Sequence, residues 1–152
     1  MAAPRPIGDP LGSVQVVGLR ELQKELKQVD AELPKKLRVG QLDIARDVVE
    51  KADARARGMG GVFRHAVAMQ GSLKAKGEQR YAKAVLDANK APMILGAEFG
   101  AKRYRQFPRF RGNQHPSTWA PEGVGYVLYP TIRDNEAGIV DAYDRMLGQL
   151  FD

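Results

Sequence analysis

Five cations and three aromatics fall within ten residues: Lys102, Arg103, Arg105, Arg109 and Arg111 interleave with Tyr104, Phe107 and Phe110. No acid lies between Glu98 and Glu122. Two chemistries use this mixture. Single-stranded nucleic acid is gripped by cations on phosphates and flat side chains under bases. Protein interfaces are also enriched in arginine and aromatics. Pro108 divides the run, so it cannot form one continuous helix for a groove. Gly100, in the preceding "EFG", permits a sharp turn. The formal charge is +6, and Lys102–Arg111 carries +5 of it, leaving +1 for the rest. A protein that coats nucleic acid would spread its basic residues over a face. The residues therefore favour an interface, with a nucleic-acid module as the alternative.

Other constellations offer less. Asp43, Asp47 and Glu50 recur at helical spacing, with Asp53 beyond, and two carboxylates can hold magnesium. Arg46, Lys51 and Arg55 interleave with them, which reads as a solvated face of i,i+4 pairs. Ser72 and Ser117 lie outside any G-x-S-x-G context. His65 and His115 are far apart, and nothing supplies a base with its orienting acid. "GMGG" (Gly58–Gly61) has no P-loop continuation and reads as a helix stop. The sequence has no cysteine, so thiol catalysis, disulfides and cysteine zinc sites are excluded. The expectation is a non-enzymatic chain with no metal and no cofactor.

The elements that must position the basic run follow from periodicity. Residues 1–12 are rich in proline and glycine and read as an extended arm. Residues 13–152 read as one domain, with a long assembly loop at about 101–125. "SVQVVGL" (Ser13–Leu19) is β-like. Leu19, Leu22, Leu26, Val29, Leu33 and Leu37, continued by Ile44, Val48 and Ala52, mark the apolar face of a long helix. Pro34 predicts a break or kink near Glu32–Pro34, or else the first turn of a second helix. Residues 62–71 fit a strand or a helix. Ser72–Lys76 and Arg80–Ala88 read as a hairpin turning at Gly77–Gln79, with Ala82, Ala84, Leu86 and Ala88 on a small apolar face. A short helix is expected to end at Gly100. "GYVLYP" (Gly125–Pro130) resembles a strand, with Pro130 placed to start a helix. Ile132, Ile139, Tyr143, Met146, Leu147 and Leu150 form a closing amphipathic stripe. The fold class is α+β: a small antiparallel sheet packed by a long kinked N-terminal helix and a C-terminal helix. No apolar run approaches the roughly 20 residues of a membrane span, and "MAAPRPIGDPLG" lacks the apolar middle of a signal peptide. A soluble chain with no membrane partner is expected.

The order of several short motifs resembles a known family. "VVGLREL" (Val16–Leu22) precedes a helix containing "LPKKLR" (Leu33–Arg38). "AEFGA" (Ala97–Ala101), "RQFPRF" (Arg105–Phe110) and the closing "YPTIRDNEAGIVDAYDRMLGQLF" follow. This resembles the tail-component family of long-tailed, non-contractile bacteriophages, over nearly the whole chain after the arm. Gly112–Gly125 is longer than the family pattern, and the arm is an addition to it. The resemblance implies a virion protein of the phage neck, assembled in the host cytoplasm, that acts in tail completion or head–tail joining. It implies a closed homo-oligomeric ring of about six subunits around the DNA channel. Its partners would be neighbouring neck and tail rings, with passive DNA contact. A tail terminator capping the tube is the alternative within that class. On this reading Arg103, Tyr104, Arg105, Phe107, Phe110, Trp119, Tyr126 and Tyr129 are expected at subunit interfaces.

Overall fold

A computed structural model of the chain describes residues 19–78, 81–110 and 125–150. Among these residues are six helices and one two-stranded antiparallel sheet. The α+β class expected from periodicity is the architecture observed. No helix among the described residues is long and apolar enough to cross a membrane.

The leucine stripe forms two helices rather than one kinked helix. Helix α1 spans Leu19–Val29 and α2 spans Leu33–Met59. Pro34 sits in the first turn of α2. Its missing N–H removes no bond there, because first-turn donors have no acceptor within the helix. Asp30 organises the turn, its carboxylate accepting the Glu32 N–H at 2.9 Å. The chain then folds α1 back along α2. Leu26, Leu33, Leu37 and Met146 form one buried cluster, flanked by Leu22, Ile44, Tyr143, Leu147 and Leu150. α2 ends at Gly60 (φ +70°), whose N–H reaches the Ala56 carbonyl. The "GMGG" stretch is thus the helix stop its glycines suggest.

The ambiguous stretch after Gly60 is helical, with α3 at Gly61–Ala68. Phe63, Ala66 and Val67 all join the core, and spacings of three and four place them on one helical face. A strand would have sent Ala66 and Val67 to opposite sides. Strands β1 (Leu73–Gly77) and β2 (Ala82–Leu86) pair antiparallel, from Leu73 opposite Leu86 to Gly77 opposite Ala82. Leu73, Ala84 and Leu86 pack against the second and larger cluster, which holds Val48, Ala52 and Ala56 of α2. Alternation along the second arm therefore located the face that meets α2. Helix α4 (Ile94–Phe99) ends at Gly100, as expected.

Two expectations need correction. Leu19, the last residue of the β-like "SVQVVGL", begins α1, and Ser13–Gly18 lie outside the described residues. "GYVLYP" is not a strand. Val127 is the N-cap of helix α5 (Leu128–Asp134), with Pro130 in its first turn. The cause is a distant carboxylate, described below. The closing stripe is also divided: α6 (Glu136–Leu150) follows α5 after Asn135. The Asn135 side-chain amide donates to the Thr131 carbonyl at 2.7 Å, the same carbonyl that accepts the Asn135 backbone N–H at 3.1 Å, so one residue closes the helix end twice.

Leu37 is fully buried where α1, α2 and α6 meet. Leu37→Ala is expected to destabilise the fold by about 2–5 kcal/mol through lost burial and a residual cavity. Urea denaturation followed by circular dichroism measures it, with the midpoint falling and the slope unchanged.

Candidate functional site

The basic run is a loop on a braced base, and the brace begins at Glu98. In "MILGAEFG" the buried positions of α4 are Ile94, Ala97 and Glu98. Glu98 therefore lies on the inward face of its short helix, only 1% exposed. Its Oε2 accepts the Val127 N–H at 3.1 Å and the Leu128 N–H at 2.8 Å, while Oε1 accepts the Tyr129 N–H at 3.0 Å. These are donors that the start of α5 would otherwise leave unpaired. A carboxylate is also favoured by the positive end of the helix dipole. Gly125 makes room: at φ +81° it suits glycine, and a Cβ would overlap Glu98 Oε1 and lie 2.7 Å from the Tyr129 Cβ. Phe99 and Tyr129 close the joint with ring centroids 5.7 Å apart.

Burial pushes the Glu98 carboxyl above the ordinary glutamate range. The three backbone donors and nearby Arg133 pull the other way without prevailing. A raised folded value means that the folded state holds the proton longer than the unfolded chain. The contribution of Glu98 to stability is therefore largest at low pH. It declines as pH rises from the ordinary glutamate value through the raised one, and then levels off.

The loop leaves from Gly100 and is tied back at once. The Ala101 N–H donates to the Pro108 carbonyl at 2.9 Å. The Phe107 ring covers Gly96, where a Cβ would come within 2.7 Å of it. At Gly100 (φ +79°) a Cβ would overlap the Arg109 carbonyl oxygen. The Tyr126 hydroxyl donates to that same carbonyl at 2.6 Å. Lys102 Nζ sits 5.3 Å from the centre of the Phe110 ring, within cation–π range.

The expected interface residues divide accordingly. Arg103, Tyr104 and Arg105 are exposed, Tyr104 by 56%. Neither Arg103 nor Arg105 has a carboxylate partner among the described residues. Phe107, Phe110, Tyr126 and Tyr129 are half-buried and brace the loop and α5 within the chain. Trp119 lies outside the described residues. Beside the loop is an open apolar cavity of about 530 Å³, lined by His65, Met69, Met93 and Gln106 among others.

The α2 carboxylates and Ser72 make structural contacts. Asp43 pairs with Arg46 at 3.3 Å, Asp47 with Lys51 at 2.7 Å and Asp53 with Arg57 at 2.6 Å, which is the solvated helix face expected. Among the described residues no group of three or more His, Asp or Glu side chains could hold a metal ion. Ser72 is fully buried and its hydroxyl donates to the Ala66 carbonyl at 2.7 Å. His115 and Ser117 lie outside the described residues. The residue that sequence reasoning passed over is Glu98. Its signal was available: it follows Ala97 and lies four residues after Ile94, an inward position for an acid.

Glu98→Ala leaves the buried Val127 and Leu128 N–H groups and the part-buried Tyr129 N–H without their acceptor and is expected to destabilise the fold by at least about 3 kcal/mol. Glu98→Gln keeps the shape and removes the titration. Stability measured by urea titration between about pH 4 and pH 7 should shift in favour of the Gln variant as pH rises. In a second test, Gly100→Ala is expected to loosen the loop. Limited trypsin digestion should then cut after Arg103 or Arg105 at least about tenfold faster than in the parent chain.

Comparison of the chain with protein-family models, with curated proteins and with solved structures returned no match.

Proposed function

We propose that the chain is a structural subunit of a phage neck, assembling as a ring that joins the head connector to the tail tube. The observation that carries this reading is the pairing of a fixed backbone with unsatisfied charge. Ala101, Phe107, Pro108 and Arg109 hold the loop to α4 and to Tyr126. Arg103 and Arg105 then project with no carboxylate of their own among the described residues. A pre-organised cationic loop loses little conformational freedom on docking, which is what a repeated subunit contact requires. The adjoining apolar cavity offers a place for a neighbour's side chain, with the arginines as a polar rim. The order of "VVGLREL", "LPKKLR", "AEFGA" and "RQFPRF" supports the same assignment through its resemblance to tail-component proteins.

The loop is less suited to single-stranded nucleic acid. Stacking needs free aromatic faces. Phe107 lies on Gly96 and Phe110 lies under Lys102. Tyr104 is left as the exposed ring of the described loop.

Reversing both charges with Arg103→Glu and Arg105→Glu changes exposed side chains only. Stability should stay within about 0.5 kcal/mol of the parent. Heads and tails should each form in infected cells but fail to join, as counted by electron microscopy and plaque yield. Normal virion yield from the folded double variant would sink the interface assignment.

A further inference from the structure

The acidic counterpart of the basic loop lies on α6. That helix carries Glu136, Asp141 and Asp144 against Arg145, a sum of 1 − 3 = −2. By the same count α1 is 3 − 2 = +1 and α2 is 7 − 4 = +3. Helix α5 balances Arg133 with Asp134, and the acid of α4, Glu98, is buried against the start of α5. Among the described helices α6 is therefore the one that offers negative charge to its surroundings.

Its acids are exposed. Ile139, Tyr143, Met146, Leu147 and Leu150 make the inward side of the helix. Glu136, Val140 and Asp144 recur four residues apart on the outward side, with Asp141 beside them, and all four are exposed. None of the three carboxylates forms an ion pair among the described residues, whereas Asp43, Asp47 and Asp53 of α2 each have a cation about one turn away. Val140, 44% exposed, is thus an aliphatic side chain with a carboxylate one turn before it and another one turn after.

The face around the basic loop inverts that pattern. Its cavity of about 530 Å³ is lined by Val62, His65, Met69, Met93 and Gln106, and by no acid among the described residues. Methionine side chains adapt to the shape of an inserted group. Gln106 sets the cavity next to Arg105 in the chain, and Arg103 and Arg105 are exposed without a carboxylate among the described residues. An apolar hollow edged by cations fits an apolar side chain edged by acids.

The two faces lie at separate places on the subunit. Met146 fills the space that a side chain at Gly40 would need, and Ile139 and Tyr143 share a cavity wall with Gln41, Ile44 and Val48. Helix α6 therefore lies along the Gly40–Val48 stretch of α2. The loop-side cavity begins at Gly61, beyond Met59 at the end of α2. Even Val48 is about 16 Å along the helix axis from Met59. A contact between the two faces joins two copies, and two different surfaces meet in it, which is the arrangement that closes a ring.

We propose that α6 of a second copy, through Val140 with Glu136, Asp141 and Asp144, seats on the cavity and on Arg103 and Arg105 of the first. This deepens the reading of the loop as a subunit interface and rests on it.

Sedimentation of the full-length chain with exchanged charges tests the contact. One variant carries Arg103→Glu and Arg105→Glu, the other Asp141→Arg and Asp144→Arg, and circular dichroism checks that each is folded. The parent chain should self-associate below about 1 mM. Each variant alone sets like charges against each other and should associate at least about tenfold more weakly. An equimolar mixture restores opposite charges at both contacts between unlike copies and should recover association. A mixture that stays dissociated overturns the proposal, as does a parent chain that is monomeric at about 1 mM, and neither result bears on the joining of heads to tails. Loss of association in the loop variant alone leaves the loop as an interface and removes α6 as its partner. Unchanged association in both variants overturns the α6 contact and the interface reading of the loop together.

Discussion

The carboxylate of Glu98 is the interaction on which the loop-bearing corner of this molecule depends. It gathers three main-chain donors from residues about thirty positions later in the chain. Without it the start of α5 would have to bury open N–H groups, which folded chains avoid. With it, α4 and α5 become one rigid corner. Tyr126, carried at that corner, holds the Arg109 carbonyl, and Gly100 and Gly96 admit the returning loop and its phenylalanine. The exposed arginines are thus displayed by a short chain of contacts that ends in one buried acid. Burial raises the pKa of that acid, so its contribution to the corner falls as pH rises through the glutamate range.

This arrangement separates two roles that the basic run combines. The aromatics mostly face inward and give the loop its shape. Arg103 and Arg105 face outward and give it its charge. Surface arginines contribute little to the stability of their own fold when exposed to water. An arginine–carboxylate pair gains strength only where a partner excludes that water, which is the setting the proposed ring contact would supply. The apolar cavity next to Gln106 extends the same surface with area that would gain from being covered.

Much of the scaffold was legible because it rests on local periodicity. The leucine stripe through Leu22, Leu26 and Leu37, the alternating alanines of β2 and the glycine stop after α4 all report their own surroundings. "GYVLYP" misled because its valine and tyrosines suit a strand, and the acid that makes it a helix start lies far upstream in the sequence. Pro34 was ambiguous between a kink and a first turn, and only the contact of Leu26 with Leu37 across the turn separates the two. The buried amide of Gln41 was not legible at all: on the helix stripe it occupies a polar position between Leu37 and Val48, and only packing reveals that it is enclosed. At the site, composition located the arginines but could not divide the aromatics into those that brace the loop and those left for a partner.

The central claim is that the loop meets another protein chain, and Lys102 offers a direct probe because it sits on the loop next to Arg103. Intact particles treated with an amine-to-carboxylate cross-linker and analysed by mass spectrometry would report its neighbours. The account predicts that Lys102 joins acidic residues of a second subunit or of an adjacent neck protein. Cross-links from Lys102 confined to its own chain, in particles whose other subunit contacts are captured, would contradict it.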